Sequence, residues 1–176
     1  MGPWVFDTSI GRCGLWCGVR GITRVQLPDP PSPRGGFGET GAGGDDAVEP
    51  PPEVARAIEG MTALLRGEPV DLLDVVLDMD GVPEFHRRVY ELTRQIRPGE
   101  TTTYGDVATA LGDPGAARAV GQALGRNPFP IVVPCHRVLA AGGRSGGFSA
   151  PGGITTKMRL LEIEGASVPR TLPLFS

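Results

Sequence analysis

The sequence predicts an α+β fold in which a small mixed half precedes a mostly helical half. Three observations predict it. Residues 4–27 hold short β-rich runs punctuated by glycine, and residues 28–52 then carry Gly, Pro, Asp and Glu with almost nothing to bury. From residue 82 onward apolar residues recur at helical spacing between clear stop signals. The charge divides at the same place: residues 1–81 carry 6 Arg against 13 Asp and Glu, net −7, whereas residues 82–176 carry 11 Lys and Arg against 7, net +4. The domains expected are therefore 1–81 and 82–176.

Trp4-Val5-Phe6-Asp7, Gly14 to Val19, and Ile22 to Leu27 read as strands of a meander, and 28–52 as a flexible Gly/Pro-rich loop. Glu53 to Leu65 has helical periodicity and ends before Gly67-Glu68-Pro69; Val75-Val76-Leu77 is a further strand or an extended connection. A helix over Pro83 to Ile96 buries Phe85, Val89, Leu92 and Ile96 on one face, leaves His86 solvated on another, and stops at Pro98-Gly99. Thr101-Thr102-Thr103 caps a helix from Tyr104 to Leu111 with Val107, Ala108 and Leu111 inward, and Gly112 ends it. Asp113 then caps a helix with Pro114 at its first position, where a missing N–H leaves nothing unpaired. Two short helices joined at a glycine make a helix-turn-helix candidate. On the second, Ala116, Val120 and Leu124 face the core, while Arg118, Gly121, Gln122 and Gly125 share the exposed side. Phe129 to Val133 reads as a short buried strand or extended segment bounded by prolines.

Composition narrows the function classes. No apolar run approaches a membrane span, and Met1-Gly2-Pro3-Trp4 does not open a signal peptide, so no membrane role and a cytoplasmic chain are expected. An odd three cysteines point to reduced thiols. Cys13 and Cys17 fall short of the four ligands a structural zinc needs, so core cysteines and no metal are expected. Lys157 is the one lysine; the remaining positive charge is guanidinium, suited to phosphate, and it sits mostly in the second half.

Chemistry points to Pro134-Cys135-His136-Arg137-Val138, where a thiol stands beside an imidazole at the end of a rigid run. A thiol becomes a strong nucleophile only on losing its proton, and the imidazole is a base within reach. The competing reading makes Cys135 a small buried hydrophobe and His136 a surface or capping residue. The small-residue face of the second helix lets its backbone approach something narrow, which favours a minor groove over major-groove base reading. A plain helical hairpin is the alternative there.

These segments together carry a resemblance. Tyr104, Ala116-Ala117-Arg118-Ala119-Val120-Gly121, Asn127-Pro128, Ile131 to Val138, Gly146-Gly147-Phe148-Ser149, Lys157, Leu160-Leu161 and Glu164-Gly165 resemble the methylated-DNA–protein-cysteine methyltransferases, which repair guanine alkylated at its 6-oxygen. The resemblance covers roughly 82–166 and is weak before that. It implies a ribonuclease-H-like first half and a helix-turn-helix in the second. Cys135 would accept the alkyl group irreversibly, His136 would withdraw its proton through a water, and Glu164 would orient His136. Tyr104 would hydrogen-bond the departing base and help turn its nucleotide out, Arg118 would fill the gap, and Ala116, Ala117, Gly121 and Gln122 would meet the DNA. Asn127 would tie the helices to the active segment. Backbone at Cys135 and Val138 would read the guanine edge and that around Ser149 its oxygen, with Phe148 over the alkyl pocket and Lys157 supporting the site. The implied partner is double-stranded DNA containing alkylated guanine, bound by a monomer with no cofactor. Phe148 stands where relatives often have tyrosine, and Gln122 where they have a smaller residue. Arg137 is left with two readings, a structural hold or a phosphate contact. Two other functions compete: a lesion-binding sensor that does not transfer, whose representatives lack the cysteine, and a Cys-His-Glu thiol hydrolase.

Overall fold

The computed structural model describes residues 3–29 and 49–166. Of the loop expected over 28–52, residues 30–48 lie outside the described residues. The chain opens with the expected meander: β1 (Trp4–Thr8), β2 (Gly11–Gly18) and β3 (Gly21–Gln26) form one antiparallel sheet in the order β1-β2-β3. Trp4 faces Leu15 and Thr8 faces Gly11 across the first pair. Helix α1 (Pro52–Leu65) begins with proline in its first turn, as the missing N–H permits, and buries Val54, Ala57, Met61 and Leu64. The run Val75–Leu77 is an extended connection making one parallel bridge, Leu77 with Ile22.

In the second half, α2 (Glu84–Thr93) is shorter than its periodicity suggested. Val89 and Ile96 are buried as expected, but Phe85 and Leu92 are only half-buried, while Tyr90 and Thr93 are fully covered. The stripe is turned because the Tyr90 hydroxyl donates to the Ala123 carbonyl at 2.7 Å, which satisfies the phenol inside the core. His86, expected to be solvated, is half-buried with its ring 6.2 Å from that of Tyr90. Helix α3 (Tyr104–Ala110) is capped by Thr103, whose hydroxyl accepts from the Asp106 N–H at 3.1 Å. Gly112 adopts φ +84 and turns the chain.

The next start differs from expectation. Asp113 makes no side-chain cap bond; Pro114–Ala116 form a single 3₁₀ turn and α4 (Ala117–Gly125) follows from it. Its buried residues are Val120, Ala123 and Leu124, and Arg118, Gln122 and Gly125 are exposed. A two-residue strand before α3, β4 (Thr102–Thr103), pairs in parallel with β5 (Val138–Leu139), a contact between residues 36 positions apart that no local pattern announces. Helix α5 (Gly153–Ile163) closes the described chain.

Phe129 to Val133 is buried but is not a strand. It folds into a compact turn closed by the Val133 N–H donating to Phe129 O at 2.8 Å, with Ile131 at φ +75. Pro130 interrupts the run and Pro128 and Pro134 bound it, and none of the three supplies the N–H donor a ladder needs. A β-branched residue in the left-handed region stores strain on the order of 1–3 kcal/mol. The packing that holds it there is one core shared by both halves, running from Leu15 and Met61 to Val133 and Leu160.

Candidate active site

The strained turn hands the chain to a single 3₁₀ turn, Cys135–Arg137, so three consecutive side chains leave it in different directions and all are buried. Cys135 is 9 % exposed. Asn127, just past α4, holds the preceding turn at both ends: its amide donates to Val133 O at 2.9 Å and its carbonyl accepts from the Phe129 N–H at 2.9 Å. Helix α4 and the cysteine are thereby fixed relative to one another.

Behind the cysteine lies a charged cluster. His136 Nε2 is 2.8 Å from Glu164 Oε1, the two side chains being 1 % and 4 % exposed. A carboxylate only accepts, so Nε2 carries the proton and Nδ1 presents its lone pair. Nδ1 is buried with no hydrogen-bond partner among the described residues. Arg137 grips the same carboxylate with two bonds, Nε to Oε2 at 2.9 Å and a terminal nitrogen to Oε1 at 2.7 Å, and donates to Ile96 O at 2.6 Å. That settles its two readings: Arg137 is 4 % exposed and holds structure. Burial alone would raise the Glu164 carboxyl, but His136 and Arg137 outweigh it and hold it down at about 2.

The resting protonation differs from what a Cys-His neighbour pair suggests. Burial pushes the Cys135 thiol above the ordinary range, against the opposing pull of Asn127 and Lys157. Burial also pushes His136 below the ordinary imidazole range despite Glu164. Both groups rest neutral, a thiol beside a free base, because two buried opposite charges would each lose water. Lys157, fully buried, donates to Val138 O at 2.7 Å and lies 5.7 Å from the Tyr104 ring centroid. Burial pushes its ammonium down to about 8, with Cys135 pulling the other way.

In front of the cysteine is a hollow of about 780 Å³, within the size range of small-molecule sites. It joins Cys135 to Tyr104, to Arg118, Gly121 and Gln122 of α4, and to Phe148. The Tyr104 hydroxyl donates to Gly147 O at 3.4 Å, and burial keeps the phenol protonated by raising its pKa. Gly121 faces the Tyr104 ring, and a Cβ added there would make an ordinary contact with it at 3.9 Å.

Of the residues anticipated from sequence, Tyr104, Ala117, Arg118, Gly121, Gln122, Cys135, Phe148 and Ser149 line this hollow, whereas His136, Glu164 and Lys157 stand behind its wall. Ala116 packs against the core instead. Val138 is fully buried, its N–H donating to Cys135 O and its carbonyl accepting from Lys157. Sequence reasoning named Gly146 in the resemblance but gave it no role; its φ of +64 brings its backbone so close to Tyr104 that a Cβ would stand 2.8 Å from the hydroxyl. Its place in the Gly146-Gly147 pair was the available signal. Cys13 is fully buried, with its thiol pushed up to about 11 by burial, as a core sulfur should be.

Residues 84–166 match the family described as 6-O-methylguanine DNA methyltransferase, DNA binding domain. The methylated-DNA–protein-cysteine methyltransferase of Mycolicibacterium paratuberculosis is 46 % identical over 128 residues, 73 % of this chain and 75 % of that protein. The protein of the same name from Mycobacterium leprae is 40 % identical over 172 residues, covering 96 % of this chain and 95 % of that one. A solved structure of Mycobacterium tuberculosis OGT in complex with DNA superposes with a TM-score of 0.71 at 35 % identity, covering 93 % of each chain.

Proposed function

The chain belongs to the methylated-DNA–protein-cysteine methyltransferase family, and from that membership we propose that it repairs DNA by moving a methyl or other alkyl group from the 6-oxygen of guanine onto Cys135. The observation that carries the assignment is the hollow in which Cys135, Tyr104 and the small-residue side of α4 meet, with a neutral His136 held by Glu164 behind them.

In this reading α3 and α4 form a helix-turn-helix that enters the minor groove of alkylated duplex DNA. Ala117 and Gly121 allow close approach, the exposed Gln122 side chain meets the groove, Ala116 supports them from the core side, and Arg118 takes the space of the nucleotide turned out into the hollow. His136 Nδ1 removes the thiol proton through a bridging water, and the imidazolium so formed is stabilised by Glu164. The sulfur forms a bond to the alkyl carbon as the carbon–oxygen bond breaks, and the electron pair goes to the guanine oxygen. Tyr104, held protonated, donates to the departing base. Lys157 favours the thiolate as it forms, Asn127 positions the cysteine, and Phe148 with Ser149 bounds the alkyl group. The Val138 carbonyl, which keeps a second lone pair, and the Cys135 backbone read the guanine edge. An alkyl thioether is a stable bond in water and the donor is the damaged base itself, so in this reading each chain reacts once and the transfer calls for no cofactor.

We read the chain as two units, 1–81 resembling a reduced ribonuclease-H-like sheet and helix and 82–176 carrying DNA binding and transfer, acting as a cytoplasmic monomer. Among the described residues no helix is long and apolar enough to cross a membrane. Mass spectrometry after exposure to a duplex containing 6-O-methylguanine tests the assignment. One methyl should appear on Cys135 and saturate at one per chain; transfer by Cys135→Ala, or multiple turnovers, refutes it.

A further inference from the structure

Cys135 borders a second hollow besides the one that faces α4. This one, of about 310 Å³, shares Leu124, Gly125, Cys135 and Ser149 with the first and runs past the end of α4 to the sheet of the first half, where Arg126 and Arg24 line it. The two hollows thus make one trough along which stand Arg118, Arg126 and Arg24. Among the described residues no Asp or Glu lines either part. Among the described residues none of the three guanidiniums belongs to an ion pair. In a chain of net charge −3 whose first half is strongly acidic, a trough whose described lining carries arginines and no carboxylate is a local positive surface suited to an anion.

Arg24 is also held in place. Its guanidinium carbon lies 5.0 Å from the centroid of the Trp16 ring, and it donates to Gln26 Oε1 at 3.4 Å. Stacking occupies a face of the guanidinium and leaves donors in its plane for an anion, at a reduced entropic cost. The next residue, Val25, donates its N–H to Pro128 O at 2.9 Å, so β3 is joined directly to the segment two residues beyond Arg126. The sheet and the end of α4 therefore present their arginines as one rigid edge.

We propose that Arg24 and Arg126 grip the phosphate backbone of duplex DNA beyond the end of α4, so that the first half of the chain carries part of the DNA-binding surface. This rests on the reading of α4 as the groove-entering helix. The chemistry required is that of a phosphodiester: a delocalised anion that accepts from planar N–H forks and carries no sequence information.

The test is duplex binding by the full chain in a Cys135→Ala background, which leaves the DNA unreacted, followed by fluorescence anisotropy between about 50 and 200 mM salt. Each phosphate contact contributes about 0.9 to the slope of log affinity against log salt. Arg24→Gln should therefore lower the slope by about 0.9, and its affinity deficit should shrink about 3.5-fold across that salt range. Arg126→Gln should act in the same way and the pair should add. Arg66→Gln, which removes an exposed arginine paired with Glu68 at the end of α1, should leave the slope unchanged. With Cys135 intact, Arg24→Gln should react with free 6-O-benzylguanine at the parental rate, since that base has no phosphate. An unchanged slope in Arg24→Gln overturns the proposal, as does an affinity loss equal at every salt concentration, which would mark a packing effect. Absence of salt-dependent duplex binding by the parent chain overturns the DNA-binding reading itself, and this proposal with it.

Discussion

Glu164→Gln isolates the charge at the centre of the buried cluster while keeping its shape. The carboxyl ordinarily titrates near 4.5 and is held down at about 2 in the fold. A difference of that size between ionised and neutral forms is worth about 3 kcal/mol, since each pKa unit corresponds to about 1.4 kcal/mol. Glutamine approximates the neutral form, so the variant should lose roughly that amount at pH 7, in line with the ~3–5 kcal/mol seen when one partner of a buried ion pair is removed. The sign with pH follows from proton binding. Between about 2 and 4.5 the unfolded chain holds a proton on this carboxyl that the folded chain does not, so stability rises with pH through that window. The contribution is complete above the unfolded value and is lost as pH falls through the folded one. Urea unfolding across a pH series reads this directly: the parent should shed about 3 kcal/mol on this limb, the variant should not, and the two should converge near pH 2. A loss under about 1 kcal/mol at pH 7, or an identical acid limb in both proteins, would refute the account of Glu164 as an anion stabilised by the buried Arg137 guanidinium and the His136 N–H.

Two further outcomes follow from the site. Because His136 is pushed below the ordinary imidazole range, the single-turnover transfer rate should stay level as pH is lowered through about 6.5 and fall only beyond it. Quench-flow with labelled duplex measures this, and a fall centred at or above 6.5 contradicts the neutral resting pair. Gly146→Ala should destabilise by about 1–2 kcal/mol from its positive φ and should slow transfer by displacing Tyr104. Gly147→Ala, where an added Cβ meets nothing within 4 Å, should do neither, and equal effects from the two would remove the argument.

Much of this protein is written locally. The meander of β1 to β3, helix α1 and the Thr103-capped α3 each follow from periodicity, glycine and capping groups within a few residues. So does the exposed side of α4, because a helix sorts Arg118, Gly121, Gln122 and Gly125 onto one face whatever surrounds it. Cys135 and His136 are neighbours in the chain, and their chemistry could be named before any fold was known.

Other features depend on contacts across long stretches of sequence, which no local pattern encodes. The parallel pairing of β4 with β5, the turn of the α2 stripe toward Ala123, and the left-handed Ile131 in place of a strand are of this kind. Arg137 shows the same limit most sharply: its side chain could have met phosphate or protein, and only the arrival of Glu164, 27 residues later, decides that it is buried against a carboxylate. The sequence by itself determined which groups could react. Tertiary structure decided their charge, because the cost of ionising a thiol or an imidazole depends on how much water the assembled fold removes from around it.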